Sequence, residues 1–387
     1  MPDLAAQMAS PTGGFTIECM MMRYNIFIPR LYNFCKSLGM RAGKMLPSRA
    51  FCSDENQGYP IIMIAKHFAT FPFNHGQVGG VIATDRHGPH ADHGEDMVII
   101  QASHVGYNPD SHTFGCHTFG SYKRLQKNKQ NCSDSCGKIY AIIDWYQSEY
   151  DFAAKNISFE KINNQVFITV DNHLLREDLN EGLSLHLHKL IKENQEQQFI
   201  PVKILSTAKT FIAHVSLAKK MEAMLVEGKK VSIGNNLQAE MFYYKHSIEA
   251  NIEGAYHLEL NLIKYMPSII TSPAPGMLAA QINTQVEFDR AFRTLSKANC
   301  YREKNLLFIA GLNIDISPND DQLFPLTKFV PWAAYIQKAT GETSILEQAE
   351  LLRKLEQQPI ENPDQIDLEN AIRKMQDAEE IRIETYC

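Results

Sequence analysis

Two segments in the first third of the chain, "VGGVIATD" (78–85) and "DMVIIQASHV" (96–105), carry nearly continuous branched apolar residues. Such runs lack the alternation of a half-exposed strand and predict central strands covered on both faces. A polar, Gly/Pro-bearing connection, "RHGPHADHGE" (86–95), lies between them. Just upstream, "IIMIAKHFATF" (61–71) is apolar enough for either a short helix or a buried strand. After Cys136 the period changes, and "GKIYAIIDWYQSEYDFAAKN" (137–156) predicts a helix. Strands and helices in succession predict an α/β core with its chemistry at strand ends and loops.

The pattern stays mixed further on. "MMRYNIFIPRLYNFCKSLGM" (21–40) predicts a helix or an irregular cover, with Cys19 and Cys35 as packing residues. Residues 165–195 read as a strand, an acidic turn and an amphipathic helix, while 208–230 and 236–267 read as helical. "TSPAPG" (271–276) marks a connection and "NLLFIAGLNIDISPND" (305–320) a later strand and turn. "SILEQAELLRKLEQQ" (344–358) predicts an amphipathic helix that stops before "PIENP", with a second helix starting after "NPDQIDLEN". Three regions are expected: a helical or irregular cover at 1–48, the α/β core at 49–200, and a mixed, mainly helical extension or second structural unit at 201–387.

Composition narrows the function more than the fold. The chain has 387 residues, 21% of them charged, a net charge of -6 and a pI near 6.2, which gives no global attraction to nucleic acid or an anionic membrane. The basic stretch "YKRLQKNKQ" (122–130) is the local exception and reads as a solvated loop. No run of 18 apolar residues occurs, so no membrane insertion is expected. "MPDLAAQMASPTGG" lacks the basic and hydrophobic segments of a secretory signal, which makes the cytoplasm the expected location. Eight cysteines are too few for a disulfide scaffold of this size and read as thiols, ligands or core residues.

Eight of the 14 histidines lie between His67 and His117, with Cys52 upstream and Cys136 downstream. Cys52 sits in a polar turn, His104 ends the strongest strand, and Cys136 precedes a helix. Thiolate sulfur and neutral imidazole both suit zinc, and ligands at the ends of separate elements can converge. His87, His90 and His93, with Asp85, Asp92, Glu95 and Asp96 nearby, form a competing group that suits metal binding, proton relay or a plain polar loop. His186 and His188 read as packing or surface residues. There is no H-E-x-x-H helix, no phosphate loop and no G-x-G-x-x-G fingerprint. The glycines of "FNHGQVGG" (73–80) serve either a ligand's approach or a tight turn.

Taken in order, "FCSDE" (51–55), "FPFNHGQVGG" (71–80), "HGPHADHGED" (87–96), "SHVGYN" (103–108) and "SCGKIYAII" (135–143) resemble the limiting-CO2-inducible protein family, the LCIB-type or theta class of carbonic anhydrases. The resemblance implies an α/β fold with a beta-carbonic-anhydrase-like sheet core, flanking helices and here a long C-terminal extension. It implies Zn2+ on Cys52, His104 and Cys136, and hydration of CO2 to bicarbonate by zinc-activated hydroxide. It also implies a homodimer and an Asp–Arg pair beside the metal, with Asp54 as the acid. Arg86 is the nearest arginine, with Arg49 and Arg124 as alternatives. Glu55 and Asn56 follow Asp54, so the C-x-D-x-R arrangement of ordinary beta-class enzymes is missing. The same zinc chemistry also suits a hydrolase of small esters or amides, and the long extension suits a non-catalytic zinc protein that works by assembly.

Overall fold

The computed structural model describes residues 15–17, 20–83, 96–108, 112–114, 136–170, 183–185, 199–201, 209–213, 220–221, 223–234, 242–245, 254–316 and 326–378. A short strand β1 (Met22–Arg23) runs into helix α1 (Tyr24–Ser37), followed by β2 (Met45–Phe51), helix α2 (Gly58–Phe68), β3 (Phe73–Asn74), β4 (Asp96–Asn108) and β5 (Thr113–Phe114). Next come α3 (Gly137–Asn156), β6 (Ile157–Ile162), β7 (Gln165–Val170), β8 (Leu183–Leu185), β9 (Phe199–Pro201), β10 (Lys209–Ala213), β11 (Lys230–Ser232) and β12 (Phe242–Lys245). Helices α4 (Ala255–Ile263), α5 (Met266–Ile270) and α6 (Pro275–Leu295) lead to β13 (Asn305–Ile316), β14 (Leu326–Gln337) and β15 (Thr343–Glu347), then α7 (Gln348–Glu356) and α8 (Leu368–Gln376).

By contacts the chain divides into one unit made of 1–136 and 280–387 and a second made of 137–279. The first is built on an eight-stranded sheet of order β1-β14-β13-β4-β2-β3, with β15 on β14 and β5 on β4. Strands β2, β4 and β13 are mutually parallel, and β14 returns antiparallel to β13. Both faces of the central strands are covered, which is why their sequences read as continuous apolar runs. On one face, Val98, Ile100 and Ala102 of β4 and Leu307 and Ile309 of β13 pack with Phe27 and Leu31 of α1, Ile64 and Phe68 of α2, and Leu351 and Leu355 of α7. On the other, Met97, Ile99, Leu306 and Phe308 meet Phe288, Ala291 and Leu295 of α6. Phe27 stacks on Phe329 at 4.1 Å between centroids.

The second unit holds a four-stranded sheet of order β11-β6-β7-β9, a three-stranded sheet of order β12-β10-β8, and helices α3 to α5. Inside it Tyr146 Oη donates to Glu259 Oε1 at 3.0 Å, both residues buried. No helix among the described residues is long and apolar enough to cross a membrane.

The strands near 96–105 and 305–320 and the helices within 21–40 and at 137–156 form as the hydrophobic pattern predicts, whereas in the expected helix at 344–358 the residues Ser344–Glu347 belong to strand β15 and the helix starts at Gln348. Other segments differ. The 78–85 run is not a central strand where it is described: Val78–Gly80 is a 3-10 turn and Ile82 makes an isolated bridge to Gly76. Gly79 and Gly80 take φ of 73° and 79°, which no strand accommodates. Within the expected helices at 208–230 and 236–267, Lys209–Ala213 and Phe242–Lys245 are strands, and their β-branched and aromatic residues fit a pleated surface. The division by contacts also departs from boundaries at 48 and 200. The long pair β13–β14 completes the main sheet, so the chain beyond 280 belongs with its first 136 residues.

At Gly80 the 75–82 segment packs tightly against β4. A Cβ there would sit 2.1 Å from the Ala102 carbonyl oxygen, and its backbone is left-handed. Gly80→Ala is expected to destabilise the protein by about 2–4 kcal/mol, read from the midpoint of denaturant unfolding.

Candidate metal centre

Parallel strands leave their C-terminal ends open for chemistry, and three such ends meet here. Along β4 the side chains of Val98, Ile100 and Ala102 share one face, and His104 is the next residue on it. Along β13 the row Leu307, Ile309 continues to Asn313 and Asp315. The register sets Asn313 opposite His104. Both rows therefore change from apolar to polar at the same end of the sheet. Cys52 is the first residue after β2, and Cys136 immediately precedes α3.

Glycines place the neighbouring segment. A Cβ on Gly76 would lie 2.2 Å from the Phe51 carbonyl oxygen, so only glycine lets this backbone lie against the end of β2. The following turn presents Gly79 N–H to Cys52 Sγ at 3.2 Å. Asn283 of α6 holds the turn, donating through Nδ2 to Gly79 O at 2.9 Å and to Ser103 Oγ at 2.9 Å.

Cys52, His104 and Cys136 are all buried, and their ligand atoms lie within 4.8 Å of one another. The two sulfurs are 3.9 Å apart. Two sulfurs on a tetrahedral zinc, each ~2.3 Å from the metal, would be about 3.8 Å apart. Among the described residues His104 Nε2 is buried without a hydrogen-bond partner, a polar atom facing the cysteine pair. Its other nitrogen is engaged, with Nδ1 2.9 Å from Asp315 Oδ2. An ionised Asp315 requires the proton on Nδ1, which leaves the Nε2 lone pair for a metal, the arrangement that orients metal-binding histidines generally. The residues present fit a zinc ion.

The same groups shift one another's titration. Cys136 beside it, and then His104, hold the Cys52 thiol down to about 3 against the effect of burial, assisted by Gly79 N–H. The Cys136 thiol is pushed up by the Cys52 thiolate and by burial. Burial disfavours a charged His104, but Asp315 and the cysteines outweigh it and raise the imidazole. Burial raises the Asp315 carboxyl, opposed by the hydrogen bond from His104 and by Thr327.

Asp54 lies at the rim. Its Oδ1 accepts from Asn56 N–H at 3.0 Å, and its Oδ2 is 4.0 Å from His104 Nε2. Arg49 is on β2, and among the described residues it forms no ion pair with Asp54; burial lowers its pKa. Arg86, Arg124, His87, His90, His93, His186 and His188 lie outside the described residues. The structure thus brings Cys52, His104, Cys136 and Asp54 together. Sequence reasoning missed Asp315, although polar Asn313 and Asp315 interrupting a buried run in "FIAGLNIDI" were a visible signal.

The purified protein is expected to bind one zinc ion. Cys52→Ser and His104→Ala should each remove most of that binding in competition with a chromophoric chelator. Asp315→Asn should weaken it about 10–100-fold, because the amide no longer enforces the tautomer. Unchanged affinity in folded Asp315→Asn would refute the orienting role.

No protein-family model and no curated protein sequence matches the chain. Among solved structures, the crystal structure of PtLCIB4, a homolog of the limiting CO2-inducible protein LCIB, aligns with 85% of this chain and 95% of its own, at 11% identity and a TM-score of 0.46. The crystal structure of the limiting CO2-inducible protein LCIB aligns with 85% of this chain and 95% of its own, at 12% identity and a TM-score of 0.45.

Proposed function

We propose that this chain is a zinc-dependent carbonic anhydrase, converting CO2 and water reversibly to bicarbonate. The observation that carries the reading is the buried His104 Nε2, without a hydrogen-bond partner among the described residues, beside the Cys52 and Cys136 sulfurs, with the Asp54 carboxylate 4.0 Å away. The sequence segments that resemble the LCIB-type carbonic anhydrases supply the choice of substrate.

Zinc held by this triad supplies a Lewis acid that makes water nucleophilic near neutral pH. The remaining work falls to the chain. Cys52, His104 and Cys136 are the residues that would hold the ion. Asp54, with Oδ1 anchored by Asn56 N–H, would accept a hydrogen bond from the attacking water through Oδ2 and so orient its lone pair towards CO2. Arg86 is proposed as the guanidinium that holds the Asp54 carboxylate by its two oxygens and keeps it off the metal. His87, His90 and His93 are proposed to pass the released proton to solvent, since imidazole titrates near neutral pH. The functional form is proposed to be a homodimer.

One observation favours a second reading. Asp54 Oδ2 lies 4.0 Å from His104 Nε2, against roughly 3.3 Å for oxygen and nitrogen ligands on one tetrahedral zinc, so a small movement of Asp54 would make it a fourth ligand and give a closed, non-catalytic centre. X-ray absorption on the zinc-loaded protein separates the two, counting three protein ligands plus water or four protein ligands.

Zinc-loaded protein in a stopped-flow assay is expected to hydrate CO2. Asp54→Asn should retain zinc and lose about 100-fold or more in kcat. Arg86→Ala should likewise keep its zinc and lose activity, with only partial recovery in Arg86→Lys, because an ammonium does not reproduce a two-pronged contact. A folded, zinc-replete protein without activity under reducing or oxidising conditions refutes the catalytic reading. Sedimentation at one 43.9 kDa chain with full activity refutes the need for a dimer.

A further inference from the structure

Behind Asp315 a line of buried side chains runs from the candidate metal centre to the start of α1. Asp315 Oδ2 accepts from Gln57 Nε2 at 2.9 Å, and Oδ1 accepts from Thr327 Oγ1 at 2.8 Å. Gln57 Oε1 accepts from Asn313 Nδ2 at 2.6 Å, and Asn313 Oδ1 accepts from Tyr24 Oη at 2.7 Å. Tyr24, Gln57, Asn313 and Asp315 are each fully buried.

Every donor in this line points towards Asp315. The order is not interchangeable. Reversing the two amides would set the Gln57 oxygen against Asp315 Oδ2, two acceptors in contact in a site that excludes water. The ionised carboxylate therefore fixes Gln57, Gln57 fixes Asn313, and the phenol closes the far end. In the other direction, the oriented Gln57 amide compensates the buried carboxylate and aims its Oδ2, the same oxygen that receives His104 Nδ1. A purely structural use of these positions would not need four polar groups. Apolar side chains of like volume fill a buried site at less cost than an amide pair and a carboxylate.

We propose that Gln57, backed by Asn313 and Tyr24, is a positioning residue for the metal centre: through Asp315 it holds His104 in the ring orientation and tautomer that present Nε2 to the ion. The inference rests on the metal-binding reading, and it makes the 3-10 turn at Glu55–Gln57 a link between the Asp54 rim and the back of the histidine.

The test is zinc affinity by chelator competition, together with the visible spectrum of the cobalt-loaded protein, in wild type and Gln57→Met. Gln57→Met is expected to stay folded, bind zinc about 10-fold more weakly, and shift the cobalt bands as the imidazole loses its fixed orientation. In an Asp315→Asn background the same substitution should change little further, because both act through one path. Wild-type affinity and cobalt spectrum in folded Gln57→Met overturn the proposal, as does an effect that adds in full to that of Asp315→Asn. If Gln57→Met does not fold, the apolar set Tyr24→Phe, Gln57→Met, Asn313→Leu leaves no unpaired amide and is read in the same way. A structural role predicts equal or greater stability with unchanged metal binding, whereas positioning predicts weaker binding whatever the stability. Should wild type take up neither zinc nor cobalt, the metal reading itself falls, an outcome distinct from wild-type binding that Gln57→Met leaves intact.

Discussion

The pairing of β4 with β13 is the contact on which the site depends. It runs unbroken from Asn305 opposite Asp96 to Ile316 opposite Tyr107, joining stretches about two hundred residues apart in sequence. A shift of one residue in either strand would turn its whole row to the other face. Val98 and Ile100 would then leave the layer beneath α1 and α2, and His104 would leave Asp315. The apolar rows that hold the sheet together thus also fix the register of the polar residues at its end. Burial on both faces makes that register expensive to change.

Placing a carboxylate there carries its own cost. Asp315 is wholly buried, and an unpaired charge in such a position is strongly unfavourable. Its compensation comes from separate parts of the first unit: the 55–57 turn, β4 and β14. A network satisfied from several elements forms only when all of them are in place, so the polar end of the sheet acts as a check on assembly as well as a support for His104.

This explains what could be read in the sequence and what could not. The central strands were legible because double burial leaves long apolar runs at 96–105 and 305–316. His104 stood out as an imidazole ending such a run, and the two cysteines as sulfur ligands beside turns and helix starts. Asp315 and Asn313 were harder to read because their partner, His104, is adjacent only through a long-range pairing that no local pattern encodes. Gln57 is hidden in a polar turn, where an amide has no period to break. The 78–85 run misled because its branched residues suit a strand, while the left-handed conformations of Gly79 and Gly80 forbid one. The glycines there serve backbone packing: Gly76 and Gly80 let one segment touch β2 and β4, and Gly79 N–H reaches Cys52 as a result.

The path of the chain adds a further constraint. It leaves the first unit just after Cys136 and rejoins it at 280, within α6. Three residues later Asn283 grips both Gly79 and Ser103, the residue before His104. The exit of the 137–279 segment is thus a candidate ligand, and its return is tied to the Gly79 carbonyl and the Ser103 hydroxyl beside the other two. Metal held by Cys52, His104 and Cys136 would close the loop from 52 to 136 and restrain the exit, while the return is already fixed by hydrogen bonds and by Phe288 and Ala291 against β4 and β13. Since metal binding energy is also folding energy, the ion would stabilise the first unit most at the end where the chain departs.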